Sequence, residues 1–141
     1  MIVVDASVIV DFVLGTPPYV DIVAEQLRAH AGDIHAPHLL DAEVGQVLRR
    51  FVLARDLSAT RAASAAGYLE ELPIYRHRHI GLVTAALRHA TNLTVYDALY
   101  LVLAQGLGAA LLTRDSAFKT PARRAGVQLN LVKGHGSRAR R

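Results

Sequence analysis

Short apolar stretches in this chain alternate with longer segments in which apolar residues recur every three or four positions. That alternation limits the fold more than any other feature. A short stretch can bury a strand but not a helix, while each longer segment presents one apolar side. Strands joined through helices lie parallel beneath them, so the chain reads as α/β with a mostly parallel sheet. The strand segments are residues 2–5, 34–36, 109–113 and 127–132, with a shorter extended piece at 72–75.

Helices fill the gaps. One starts near Pro18, repeats Val20, Val23, Ala24 and Leu27, and stops before Gly32. A second covers residues 39–54, with Leu40, Val44, Val47, Leu48 and Phe51 on one side. A third follows Ser58 as N-cap and runs to Leu72, and a fourth spans 80–90. "TVYDALYLVLAQG" is a fifth, with Thr94 as N-cap and Asp97 three residues on. It is apolar almost all round and belongs at the centre. A short last helix precedes Gly126.

Four carboxylates sit badly in this pattern. "MIVVDASVIV" holds Asp5 between Ile2, Val3 and Val4 and the run Val8, Ile9, Val10, which reads as chain buried on both sides. An ionised group stripped of water there is costly unless opposite charge compensates, and no Lys or Arg precedes Arg28. Glu43 falls on the apolar side of its helix, about 40° from Val47 and about 60° from Leu40. Asp97 is the only charge on the buried helix, and Asp115 follows the apolar "AALLTR". Taken singly, Asp97 and Asp115 read as cap or turn residues, and Glu43 as a helix-edge acid reaching water or Arg50. Asp11, Asp21, Asp33, Asp41 and Asp56 fit ordinary surface, turn or cap roles. Taken together, the four gather where parallel sheets collect functional groups, at strand carboxyl ends and the helix starts beyond them. Crowded carboxylates repel and stay ionised only around a cation; oxygen-only ligands suit Mg²⁺ or Mn²⁺.

The remaining composition narrows the classes. A chain of 141 residues fits one domain with a real core. No cysteine is present, which excludes disulfides and thiolate metal sites. The N-terminus carries Asp5 where a secretory signal carries Lys or Arg, and the apolar run at 98–104 is too short for a bilayer, so a cytoplasmic protein with no membrane contact is expected. Sixteen Lys and Arg outnumber twelve Asp and Glu, and the pI is near 9.9. With four acids gathered at one site, the rest of the surface is strongly basic. Such a surface fits a polyanionic partner, nucleic acid first, or else is solvated charge. Candidate phosphate contacts are Arg49, Arg50 and Arg55, Arg76 and Arg78, and Arg114, Arg123 and Arg124. Tyr19, Tyr68 and Tyr75 are candidates for stacking on bases; Tyr96 and Tyr100, on the buried helix, read as packing or dimer-interface residues. His77 and His79 share a face on an extended piece, but no third ligand is evident and they read as polar surface.

"VVDASVIVD", "HLLDAEVGQVLRR", "TVYDALYLVLA" and "LLTRDSAF" resemble, in order and spacing, the acidic motifs of PIN-domain ribonucleases, those of the VapC toxins in particular. The resemblance implies a three-layer α/β/α domain over residues 1–132, its mostly parallel sheet in the order 3-2-1-4-5; the composition of "KGHGSRARR" reads as a basic, flexible tail at 133–141. It implies an Mg²⁺-dependent endoribonuclease (Mn²⁺ as an alternative ion) that cleaves by metal-activated water and leaves 5′ phosphates. Asp5, Glu43, Asp97 and Asp115 are the implied catalytic and metal-binding quartet, with Ser7 and Thr113 orienting them. One ion or two, and the role of Glu43, stay open. Implied partners are an RNA substrate, a cognate VapB-type antitoxin and a second copy as homodimer. A solitary PIN-fold protein that binds or processes RNA without a toxin role is the alternative. A dehalogenase-type phosphatase is disfavoured because Ser7 stands where its second Asp is needed.

Overall fold

The computed structural model describes residues 1–134; the expected tail lies, from residue 135 on, outside the described residues. Five strands alternate with seven helices: β1 (Ile2–Val4), α1 (Ala6–Leu14), α2 (Tyr19–Ala29), β2 (Ile34–Pro37), α3 (Leu39–Leu53), α4 (Ala59–Glu71), β3 (Tyr75–His77), α5 (Val83–Leu87), α6 (Val95–Leu107), β4 (Ala110–Thr113), a 3-10 turn (Ser116–Phe118), α7 (Lys119–Ala125) and β5 (Leu129–Leu131). All strand pairs are parallel, in the order β3-β2-β1-β4-β5. From β1 the chain builds outward to β2 and β3, then returns to the other side of β1 for β4 and β5. Right-handed crossovers therefore put α1 to α4 on one face of the sheet and α5 to α7 on the other. The direction reverses between β1 and β4, which opens a crevice above their carboxyl ends.

No helix is expected at α1 from the sequence, where its apolar residues read only as chain buried on both sides. Val8, Ile9 and Val10 favour strands, yet they are helical because Asp5 caps them. In extended conformation, Asp5 accepts the amides of Ser7 and Val8, and Gly15 closes the helix in the left-handed region at φ 66°. The helix packs against α2, α3 and α4 with Val8 and Ile9 fully buried. Its apolar character all round follows from that position.

Other departures are local. The edge strand β3 sits at Tyr75–His77 rather than 72–75, because Leu72 still closes α4 and Pro73 has no N–H for a ladder. Only Val83–Leu87 of the expected 80–90 is α-helical, after Gly81 at φ 91°. The central helix is as expected: α6 lies along β1, β2 and β4 with every residue from Ala98 to Ala104 buried. No single helix among the described residues is long and apolar enough to cross a membrane.

Arg76, a candidate phosphate contact, is taken up by the fold. Its guanidinium spans both oxygens of Asp41 at 2.8 and 3.0 Å and donates to the carbonyls of Leu69, Leu72 and Ile74. It thereby ties β3 to the ends of α3 and α4.

Candidate active site

The crevice is built from strand ends and helix starts. β1 delivers Asp5, only 6% exposed, as the cap of α1. Two residues beyond, Ser7 donates its hydroxyl to Asp5 Oδ1 at 2.5 Å and its amide at 3.1 Å. From β4, the fully buried Thr113 donates its hydroxyl to Asp5 Oδ2. The Thr113 oxygen in turn accepts the Asp115 amide at 3.0 Å, and Ser7 Oγ accepts the Arg114 amide at 3.1 Å. Residues 113–115 are thus stitched to residues 5–7, which places Asp115 beside the crevice as the cap of the 3-10 turn.

Asp97 enters from above, in the first turn of α6, whose cap Thr94 accepts the Asp97 amide at 3.1 Å. Glu43 comes from the second turn of α3 and accepts the Tyr100 hydroxyl at 2.6 Å. Tyr100 is buried one turn after Asp97, so α6 supplies both an acid and the hydroxyl that holds a second acid.

The acids share one field. Burial pushes Asp5 up to about 6, and the negative charge of Asp97 adds to that; Ser7, Thr113 and the Val8 amide pull the other way. Asp97 is raised by burial and then by Asp115, and Glu43 by burial and by Asp97, against the lowering effect of Tyr100. Burial, with Glu43 beside it, also drives the Tyr100 phenol well above its usual range, so it remains a hydrogen-bond donor. Asp97 is the hub through which the repulsion runs.

Among the described residues, no group of three His, Asp or Glu side chains stands close enough to hold an ion as placed. The donor chemistry nevertheless suits a hard cation. Both Asp97 oxygens, Oε2 of Glu43 and Oδ2 of Asp115 accept no hydrogen bond among the described residues. All are oxygens, and the chain has no thiol to compete.

Residues 2–124 match the family described as PIN domain. The chain belongs to the PIN-domain family. Within it the chain is of the VapC kind. Ribonuclease VapC1 of Mycobacterium tuberculosis is 42% identical over 117 residues, which are 81% of this chain and 85% of the relative. Ribonuclease VapC9 of the same organism is 37% identical over 115 residues, with 82% and 86% covered. FitAcB of Neisseria gonorrhoeae shares the fold, with a TM-score of 0.62 over 92% of this chain and 96% of that one at 16% identity.

The PIN fold distributes the candidate arginines unevenly. Arg49, Arg50 and Arg55 around the C-terminal half of α3, and Arg123 and Arg124 on α7, are exposed. Arg114, though still partly exposed, is engaged within the fold, bonding both oxygens of Asp11 at 3.0 Å and lying 3.5 Å from the Tyr19 ring centroid. One face of the Tyr19 ring is therefore covered by the guanidinium. Asp11 is no surface residue, being 3% exposed on α1. Its signal was available in "ASVIVDFVL", where a lone charge interrupts an apolar helix. Tyr100, read as packing, carries the Glu43 contact. His77 is not plain polar surface either: its Nε2 lies 2.8 Å from Nδ1 of His35, whose Nε2 meets Asp33.

The buried PIN-domain acid makes stability pH-dependent. Folded Asp5 keeps its proton to about pH 6, whereas the unfolded chain releases it near 3.8. Stability should therefore fall as pH rises from about 4 to about 6, by up to roughly 3 kcal/mol, and not beyond. Asp5→Asn is expected to remove that loss, read by urea denaturation in EDTA at about pH 4 and about pH 7. Identical pH dependence in both proteins would refute the assignment.

Proposed function

We propose that this PIN domain is the endoribonuclease toxin of a VapBC-type pair and hydrolyses RNA with Mg²⁺, or Mn²⁺, held by Asp5, Asp97, Asp115 and Glu43. The observation that carries the reading is Asp5: a carboxylate buried at a strand end, fixed by Ser7 and Thr113, and repelled by Asp97. Nothing cationic in its own hydrogen bonds offsets that charge. The printed names of the VapC relatives, ribonucleases, support the substrate class.

A divalent ion there supplies charge to the phosphorus centre and acidity to a hydrolytic water. The chain does the rest. Ser7 and Thr113 orient Asp5, Tyr100 holds Glu43 with one oxygen left over, and the α6 amino end steadies Asp97. Glu43, whose proton affinity is raised by burial, would accept a proton from the nucleophile. Arg49, Arg50, Arg123 and Arg124 supply phosphate contacts outside the acids. RNA affinity should then fall steeply with salt. A cognate VapB-type antitoxin is the expected partner, the cytoplasm the expected compartment, and a homodimer the expected assembly, read by light scattering.

Cleavage of cellular RNA is expected to need Mg²⁺, to stop in EDTA, and to leave 5′ phosphates with 3′ hydroxyls. Ligation-based mapping of new 5′ ends reads this directly. Activity that persists in EDTA, or ends that carry a cyclic phosphate, would exclude the mechanism.

A further inference from the structure

Arg114 stands between two residues that meet the acids, yet its side chain contacts neither of them. Its amide donates to Ser7 Oγ, and its guanidinium grips both oxygens of Asp11. Ser7 and Asp11 are four apart on α1, so they lie one above the other on the same side of that helix. One residue of the β4 exit is therefore attached to α1 at two points a turn apart. A single contact would let the exit pivot about α1; two contacts set its rotation as well. The Tyr19 ring, on the other side of the guanidinium, extends the hold to α2.

The chemistry of the pair is specific. Asp11 is buried, and both oxygens of its carboxylate are met by one guanidinium nitrogen, Nη1, while the guanidinium carbon lies over the Tyr19 ring. A lysine could bring a charge to Asp11 but has no plane to lay on that ring, and a glutamine supplies neither the charge nor the cation over the ring. The flanking residues are the ones the site depends on: Thr113 bonds Asp5, and Asp115 is itself one of the acids. Moving the β4 exit by a few tenths of an ångström would shift Asp115 against Asp5.

We propose that Arg114, clamped by Asp11 and Tyr19, is a positioning residue that sets Asp115 against Asp5 for the divalent ion, rather than a contact to RNA. The proposal rests on the nuclease reading above and names the residues that hold its acidic site in register.

Three variants of the full-length protein test it, with Mn²⁺ alone as the ligand: Arg114→Gln, Asp11→Asn and Tyr19→Leu. Calorimetric titration is expected to show Mn²⁺ binding weakened about 10- to 100-fold in the first two and less in Tyr19→Leu, which is remote from the acids. Circular dichroism accompanies each variant, and Tyr19→Leu keeps the test open if the buried pair proves needed for folding. Binding of a labelled single-stranded RNA in EDTA, and its dependence on salt, should be unchanged in Arg114→Gln. If instead Mn²⁺ affinity stays within about twofold of wild type while RNA binding weakens and the salt slope drops by about one, Arg114 is a phosphate contact and the proposal is wrong. Wild-type protein that binds no Mn²⁺ would overturn the nuclease reading itself, a result separate from any difference among the variants.

Discussion

Asp97→Asn is expected to lower RNA cleavage by about 10³-fold or more at saturating Mg²⁺, while the metal-free protein becomes more stable at neutral pH. Both effects have one cause. Asp97 adds to the repulsion on Asp5 and on Glu43 and is itself raised by burial and by Asp115. A raised carboxyl pKa means that the folded state prefers the neutral form, so a neutral isostere stabilises it above that pKa. The same substitution removes the negative charge and replaces one of the two unengaged oxygens of the proposed ion site with an amide nitrogen, and loss of a residue acting within a catalytic unit typically costs several orders of magnitude. The Thr94 cap survives because it uses the Asp97 backbone amide. Initial rates in saturating Mg²⁺ read the first effect, and the melting temperature in EDTA reads the second. A variant within about threefold of wild-type activity would remove Asp97 from the site.

Leu111→Ala is expected to cost roughly 3–5 kcal/mol and to lower Tm by 10 °C or more. Leu111 is fully buried at the middle of the sheet, paired in register with Val3 on one side and Leu129 on the other. Truncation there leaves a cavity between the sheet and the helical layer packed on that face, where the paired strands limit how far the surroundings can close over it. Thr113 and Asp115 lie two and four residues downstream, and activity should fall with the loosening of β4. The urea midpoint checks the stability; a loss under about 1 kcal/mol would mean that the core near β4 is not tightly packed.

Much of the fold was legible because its signals are local. The apolar strands and Thr94 before α6 are read residue by residue, and four of the five strands lie within a few residues of their expected places. The helix α1 was not legible, because Val8, Ile9 and Val10 favour an extended chain while the Asp5 cap, with burial on several sides, decides for helix. Propensity is weak where tertiary packing is strong. Asp11 and Arg114 show the same limit at the site. Asp11 stands out only as a lone charge in an apolar run and Arg114 looks like surface charge; their meeting across 103 residues makes one a buried acid and the other its partner.

The chain alone established an α/β domain, four acids out of keeping with their neighbours, and a surplus of positive charge. These follow from periodicity, composition and the cost of burying charge, all of which act over a few residues. Tertiary structure decided which side chains hold those acids. Tyr100 reaches Glu43, Thr113 reaches Asp5, and Arg114 reaches Asp11. Hydrogen bonds and ion pairs are short-ranged and directional, so their partners are known only once the sheet has brought distant segments within about 3 Å of each other.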